Sequence, residues 1–291
     1  DQFYMNQLRE LLTRYGRVGE VWLDGAGSEG HTYDWEGYFA LIRKLQPHAL
    51  IAICGPDIRW VGNEDGLAPE TVWYPYERDG KLVWYPPECD VPIRKQYWFY
   101  HTNTEKTVRT AQELLDIYYR SVGRGAGLLL NIAPDRRGML PEEDVAALRE
   151  MWRILSETFR VNLAEGKTIR ASHVRGNASA YSPENLIDGN NDNYWTTDDT
   201  ITQASIEVDF GSPVTFDHTV VQEYLPLGQR VASYAIDVWN GDGWYNVIKG
   251  TTIGHKRIDR FPKTTASKVR LTIDQAKACP VLRRFGVYCA P

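Results

Sequence analysis

No stretch of these 291 residues approaches the ~18–20 consecutive apolar positions of a membrane helix, so no membrane span is expected. No run of lysines or arginines stands out and the formal net charge is -5, so the footprint of a nucleic-acid partner is missing. Cysteine is scarce: Cys54, Cys89, Cys279 and Cys289 lie far apart without CxxC spacing, which argues against a zinc site. Cys279 and Cys289 could pair if adjacent strands brought them together. Only six histidines occur, and none sits beside a nucleophile elbow, so no Ser-His-Asp arrangement emerges. GxxxxGK is absent as well, which leaves nucleotide binding through a P-loop with little support.

What is present is a hydrophobic share of 43%, enough for a substantial core, with ten Trp and seventeen Tyr. Core packing accounts for most of these rings, and stacking against flat or ring-shaped ligands is the functional alternative. The chain changes grammar at about Arg160–Gly166. Before that point strands and helices alternate. The pattern predicts helices over Asp1–Tyr15, Trp35–Leu45, Thr104–Val122 and Pro141–Phe159, and strands over Val18–Asp24, Ala49–Cys54, Thr71–Tyr74, Tyr97–Tyr100 and Gly127–Ile132. Such alternation implies parallel pairing and an α/β fold. After it come short alternating runs, Ile206–Phe210, Thr219–Glu223, Ser233–Trp239, Trp244–Lys249, Lys268–Ile273 and Arg284–Tyr288, which read as an all-β antiparallel sandwich. The expected domains are therefore 1–160 and 161–291.

In parallel α/β folds the reacting groups gather where βα loops leave the C-terminal strand ends. By that rule Asp24 ends the first strand. Arg59, Trp60 and Glu64 follow the second, Trp98, Tyr100 and His101 end another, and Asn131 and Asp135 follow LLLNI. Carboxylates among indoles and an arginine suit glycoside hydrolysis, which needs one ionised and one protonated carboxyl group. Taken singly, each reads better as structural: Asp24 as a turn cap and Glu64 as a solvated loop charge.

Four segments change that weighing: EVWLDGA, CGPDIRWVGNEDG, PPECDVPIRKQYWFYH and GAGLLLNIAPDRRGMLPEED. Through them residues 1–159 resemble the α-L-fucosidases of glycoside hydrolase family 29. The resemblance implies a (β/α)8-like barrel and a retaining mechanism. It puts the nucleophile of the W-x-D motif on Asp24, a fucose-lining aromatic on Trp22 and, as in the subgroup with a GNE-type loop, the acid/base on Glu64. Arg59 becomes a candidate contact to a fucose hydroxyl, and Trp98 and His101 candidates for the rim. Glu70 is a rival to Glu64, but Ala-Pro-Glu-Thr reads more like a turn. That subgroup implies α-1,3- and α-1,4-linked fucose on Lewis-type oligosaccharides or glycoconjugates, with no cofactor for catalysis; the compartment is not given by the sequence, and only the substrate class suggests a secreted or periplasmic setting. A whole barrel needs at least ~200 residues, and the family's upstream paired-histidine motif has no counterpart here. The chain is thus expected to be the C-terminal part of such a protein, its first strands missing, and to be inactive without them.

Residues 162–291, through NLAEGKTIRAS, ENLIDGNNDNYWTT, SIEVDFGSP and FGVY, resemble a discoidin-like (F5/8 type C) carbohydrate-binding sandwich. Such domains often hold a structural calcium, which implies Asp188 and Asp192 as oxygen ligands. Arg283-Arg284, where the family tends to have a glutamate, argues against it. The alternative from another class is a noncatalytic glycan-binding protein with a degenerate barrel.

Overall fold

In the computed structural model, which describes residues 1–25 and 29–291, the chain falls into two compact units, residues 1–62 with 74–88 and residues 63–73 with 89–291. Ala26 of the EVWLDGA motif lies outside the described residues.

The first unit begins with α1 (Gln2–Arg14), β1 (Glu20–Leu23), α2 (Trp35–Leu45) and β2 (Leu50–Ile53). Leu8, Leu12, Tyr38 and Ile42 recur at helical spacing and meet Val21, Leu23 and Ile51 in one core. That core buries one face of the parallel pair β1–β2, whose register runs from Glu20↔Leu50 to Leu23↔Ile53. β3 (Arg59–Trp60) follows, then a hairpin of β4 (Pro75–Arg78) and β5 (Lys81–Trp84). The hairpin replaces the strand expected over Thr71–Tyr74: the tight Asp79-Gly80 turn, both residues at positive φ, sets the pairing. β6 (Pro87–Pro92) starts in this unit, where Arg59 pairs with Pro87 and Trp60 with Glu88.

In the second unit, β6 continues beside β7 (Gly127–Asn131), and α3 (Ala111–Arg120) and α4 (Glu142–Thr158) supply its helices. Two expectations are corrected here. Tyr97–Tyr100 is no strand, because Gln96 at φ 70 turns the chain and Tyr97 N donates to Arg94 O (3.0 Å). The helix expected from Thr104 starts only at Ala111. Glu105–Thr107 makes a single 3-10 turn, Arg109 N then donates to Ile93 O (2.9 Å) and interrupts the helix, and Thr110 caps α3 through a reciprocal box with Glu113.

The remainder is one seven-stranded antiparallel sheet: β8 (Thr168–Ala171), β9 (Trp195–Thr196), β10 (Ala204–Glu223), β11 (Val231–Trp239), β12 (Trp244–Gly250), β13 (Arg257–Ala276) and β14 (Val281–Tyr288). The short runs read from the sequence fuse into the long strands β10 and β13, which stay paired across register shifts near Gly211 and Asp217. Ile206, Phe216, Ile236, Leu271 and Phe285, from both ends of the sheet order, face one core around Trp195. Among the described residues Cys54, Cys279 and Cys289 form no disulfide. Cys279 and Cys289 sit beyond opposite ends of the eight-residue β14. At about 3.3 Å per residue that strand holds them roughly 25–30 Å apart, far beyond disulfide reach.

Candidate active site

Alternation along β1 decides what each side chain meets. Val21 and Leu23 face the core, so Glu20 and Trp22 share the other face. There Trp22 Nε1 donates to Glu88 Oε1 (2.7 Å), and Glu88, at the start of β6, is buried. Burial, and next the nearby Glu88 carboxylate, push Glu20 up to about 7. Two carboxyl groups thus stand behind the indole that precedes Asp24. Sequence reasoning missed both, although Glu20 at two residues from Trp22 carried a signal, since i and i+2 share a strand face.

Asp24 lies just past the end of β1 and is exposed. Cys54 N donates to Leu23 O (3.4 Å) across the parallel pair, and the Cys54 thiol is pushed up by burial and then by the Asp24 charge. Ile53, paired with Leu23, has φ 70, an uncommon conformation for a β-branched residue, and it turns the end of β2 beside Asp24. Arg59, in the same unit, donates from Nε to Tyr85 O (3.0 Å) and lays its guanidinium over Tyr76 at 5.0 Å.

The second unit holds Glu64, Trp98 and His101. Asn63 shapes the Glu64 loop: its Oδ1 accepts from Asp65 N (3.1 Å) and Leu67 N (3.3 Å), and its Nδ2 donates to Leu67 O (2.9 Å). Gly66, at φ 73, lets the loop press against Val91 and Ile117, whose side chains a Cβ would meet at 2.9 Å. Glu64 stays exposed, and Trp98 Nε1 donates to its Oε2 (3.0 Å). Trp98 is held in turn by Asn131 Nδ2, which donates to its carbonyl (2.8 Å) from the end of β7. His101 is exposed on the following turn, its carbonyl bound by Thr104 Oγ1 (2.8 Å) and its ring 4.9 Å from Tyr97. The structure therefore brings Glu64 and Trp98 together, and Trp22 together with Glu88.

Two other carboxylates are occupied. Glu70 pairs with Arg124 and with Arg257 (3.0 Å). Asp135 accepts from Arg137 N (2.8 Å), and the Arg137 guanidinium holds it below the usual carboxylate range.

In the sheet, the turn after Leu186 is closed on itself. Asp188 accepts from Asn190 N (2.8 Å) and Asn193 Nδ2 (2.7 Å), and Asp192 N donates to Asn190 Oδ1 (2.9 Å). Arg283 and Arg284 line a small cavity with Gly189 and Asn190. Among the described residues no group of three or more His, Cys, Asp or Glu could hold a metal. Calcium takes roughly six to eight oxygens, and an Asp188 carboxylate already hydrogen-bonded within its turn, with two guanidinium groups lining the cavity beside Gly189 and Asn190, fits that need poorly.

The α-L-fucosidase family profile matches residues 1–158, and the F5/8 type C domain profile matches residues 168–284. α-L-Fucosidase 1 of Arabidopsis thaliana is 36% identical over 313 residues, taking in 99% of this chain and 61% of the relative. The chain spans about three fifths of the length of the curated relatives it matches. A Bacteroides thetaiotaomicron protein of known structure superposes with a TM-score of 0.93 at 32% identity, covering 99% of this chain and 68% of the other. A Ruminococcus gnavus GH29 fucosidase in complex with fucose gives 0.90 at 31%, with coverages of 100% and 65%.

Proposed function

Since the chain belongs to the α-L-fucosidase family, we propose that it works as a retaining exo-α-L-fucosidase, releasing α-1,3- or α-1,4-linked fucose from Lewis-type glycans. The α/β portion is read as part of a (β/α)8-like barrel, and the sheet as a discoidin-like sandwich. The observation that carries the reading is the end of β1, where an indole clamped by a buried carboxyl group precedes an exposed aspartate.

In this mechanism Asp24 attacks the anomeric carbon as the glycosidic bond to the departing sugar breaks. Glu64 gives its proton to the leaving oxygen, and the products are a covalent fucosyl-enzyme and the free acceptor sugar. Glu64, now ionised, takes a proton from water, whose oxygen displaces Asp24 and restores the anomeric configuration. A retaining pair works at a separation of roughly 5–5.5 Å. Trp22 packs on the sugar's C–H face, Arg59 binds a hydroxyl, and Trp98 and His101 form the rim. The exposed placement of Glu64 on a shaped loop supports a group that must meet both substrate and water. The ion pairs of Glu70 support leaving it out of the chemistry.

The test is fucose release from Lewis-a and Lewis-x trisaccharides and from a 2'-fucosylated control, by the chain and by a protein extended to the length of its relatives. A barrel takes at least ~200 residues, so turnover is expected from the longer protein and not from residues 1–291 alone. Release from the Lewis sugars, lost in Asp24→Ala and in Glu64→Ala, is the expected result. Release that survives Glu64→Ala would overturn the acid/base assignment. No release from any fucoside by the longer protein would favour a noncatalytic glycan-binding protein.

A further inference from the structure

The second unit contains a cavity of about 470 Å³ whose electrostatics are one-sided. β10 runs between β13 and β14, with Val221 paired to Arg257 and Gln222 to Arg284. The residues just before β13, His255 and Lys256, and those near the start of β14, Arg283 and Arg284, therefore flank the same strand and open into one concavity. Gln222 Nε2 donates to His255 O (2.8 Å) and ties that loop down. Among the described residues no carboxylate lines the cavity, although Glu165 lines a small neighbouring cavity with Arg283 and Arg284. The contrast with the next residue is sharp: Arg257 pairs with Glu70 and Asp259, whereas among the described residues Lys256, Arg283 and Arg284 enter no ion pair.

Gathering like charges without counter-charge costs free energy, and the side chains register it. Lys256 is held below its usual value by burial and then by Arg284 and Arg283, and His255 by burial and then by Arg283 and Lys256. Arg283 Nε is a buried donor without a hydrogen-bond partner, the kind of group that folded proteins normally satisfy with a ligand or water. Arg284 has its fork steadied by a bond from Nη2 to Tyr288 Oη (2.7 Å).

The rest of the lining is not that of a simple ion site. Trp152 of α4 also lines the cavity and is 69% exposed, a large flat ring left in water. Tyr118 of α3 and the Asn191 and Gln222 amides add an aromatic surface and hydroxyl-matching polar groups. Apolar ring faces with a few convergent polar groups are the usual make-up of a small-molecule pocket, and the volume falls in the usual range. We propose that this cavity binds an anionic saccharide, a sugar bearing a carboxylate or a sulfate ester, with Lys256, Arg283 and Arg284 holding the charge and Trp152 the ring. The site would act as a glycan-binding site in its own right and does not depend on the catalytic assignments above.

Isothermal titration of the full chain with methyl β-glucuronide, galactose 3-sulfate, methyl β-galactoside and sodium sulfate tests this. At least one charged sugar is expected to bind ten-fold or more tightly than the neutral sugar and the inorganic ion, and the two charged arms identify the preferred group. Trp152→Ala, on an exposed helix face, and Lys256→Gln are each expected to weaken that binding at least five-fold with an unchanged melting temperature. Failure of both charged sugars to bind would overturn the proposal. So would equal binding of the neutral sugar, equal binding of sulfate (an adventitious ion only), or indifference to Trp152→Ala.

Discussion

At the residue scale the telling group is Glu88. Its carboxylate accepts the Trp22 indole N–H, so it orients one candidate site residue, and after burial it is the next cause that raises Glu20. Glu88→Gln keeps an acceptor for the indole, whereas Glu88→Ala removes it. If the proposed activity holds, then in a protein extended to the length of its relatives Glu88→Ala is expected to shift the Trp22 indole N–H resonance and to cut fucose release at least ten-fold. Glu88→Gln is expected to change both far less. Equal loss in the two variants would mean that charge, not orientation, matters. Asp24, Trp22 and Glu64 could be proposed from the sequence because they sit in local motifs. Glu88 could not, because its role depends on a contact across 66 positions.

At the element scale, two devices hold the Glu64 loop. α3 buries Leu114, Leu115, Ile117 and Tyr119 behind a capping box, and Gly66 lets the Glu64 loop touch that same helix. Thr110→Ala is expected to cost about 1 kcal/mol in chemical denaturation, the usual worth of a helix N-cap. Gly66→Ala is expected to cost more. A non-glycine residue in left-handed backbone loses roughly 1–2 kcal/mol, and its Cβ would also strike Val91 and Ile117. If Gly66→Ala proved neutral, the loop would not be held as described. Long periodic helices such as Trp35–Leu45 were readable to the residue. The β4–β5 hairpin and the turn at Gln96 were not, because an aromatic-rich run looks alike whether it pairs locally or crosses a loop.

At the scale of the whole molecule, stability should depend on pH through buried carboxyl groups. Glu223 is 1% exposed and accepts three backbone N–H bonds, yet burial outweighs them and pushes it from 4.5 up to about 7. The folded state then binds the proton more tightly than the unfolded state. Its contribution is fully present below about 4.5 and is lost as pH rises through about 7. The shift corresponds to up to about 3 kcal/mol. Glu20 acts in the same direction, while His218 and His255, held low by burial, act in the other. The clean measurement is the difference between wild type and Glu223→Gln. The melting temperature of the wild type should fall relative to the variant between pH 5 and 8; parallel curves would show that Glu223 is ionised throughout. A second whole-molecule prediction concerns calcium. Given the closed Asp188 turn and the adjacent guanidinium groups, EDTA or added calcium should leave the melting temperature unchanged, and a calcium-dependent rise would restore Asp188 and Asp192 as ligands.

By itself the sequence determined the change from α/β to all-β grammar, the strand that ends just before Asp24, the loop that bears Glu64 and the family to which residues 1–158 belong. These are local matters: periodicity, turn chemistry and short motifs act over a few neighbouring residues. Only the tertiary structure decided that Glu88 backs Trp22, that the cysteines stay apart, that short runs fuse into two twenty-residue strands, and that four basic side chains share one cavity. Each of these depends on which distant strands pair and in what register. That is set by the packing of the whole core and leaves no mark within any single stretch of chain.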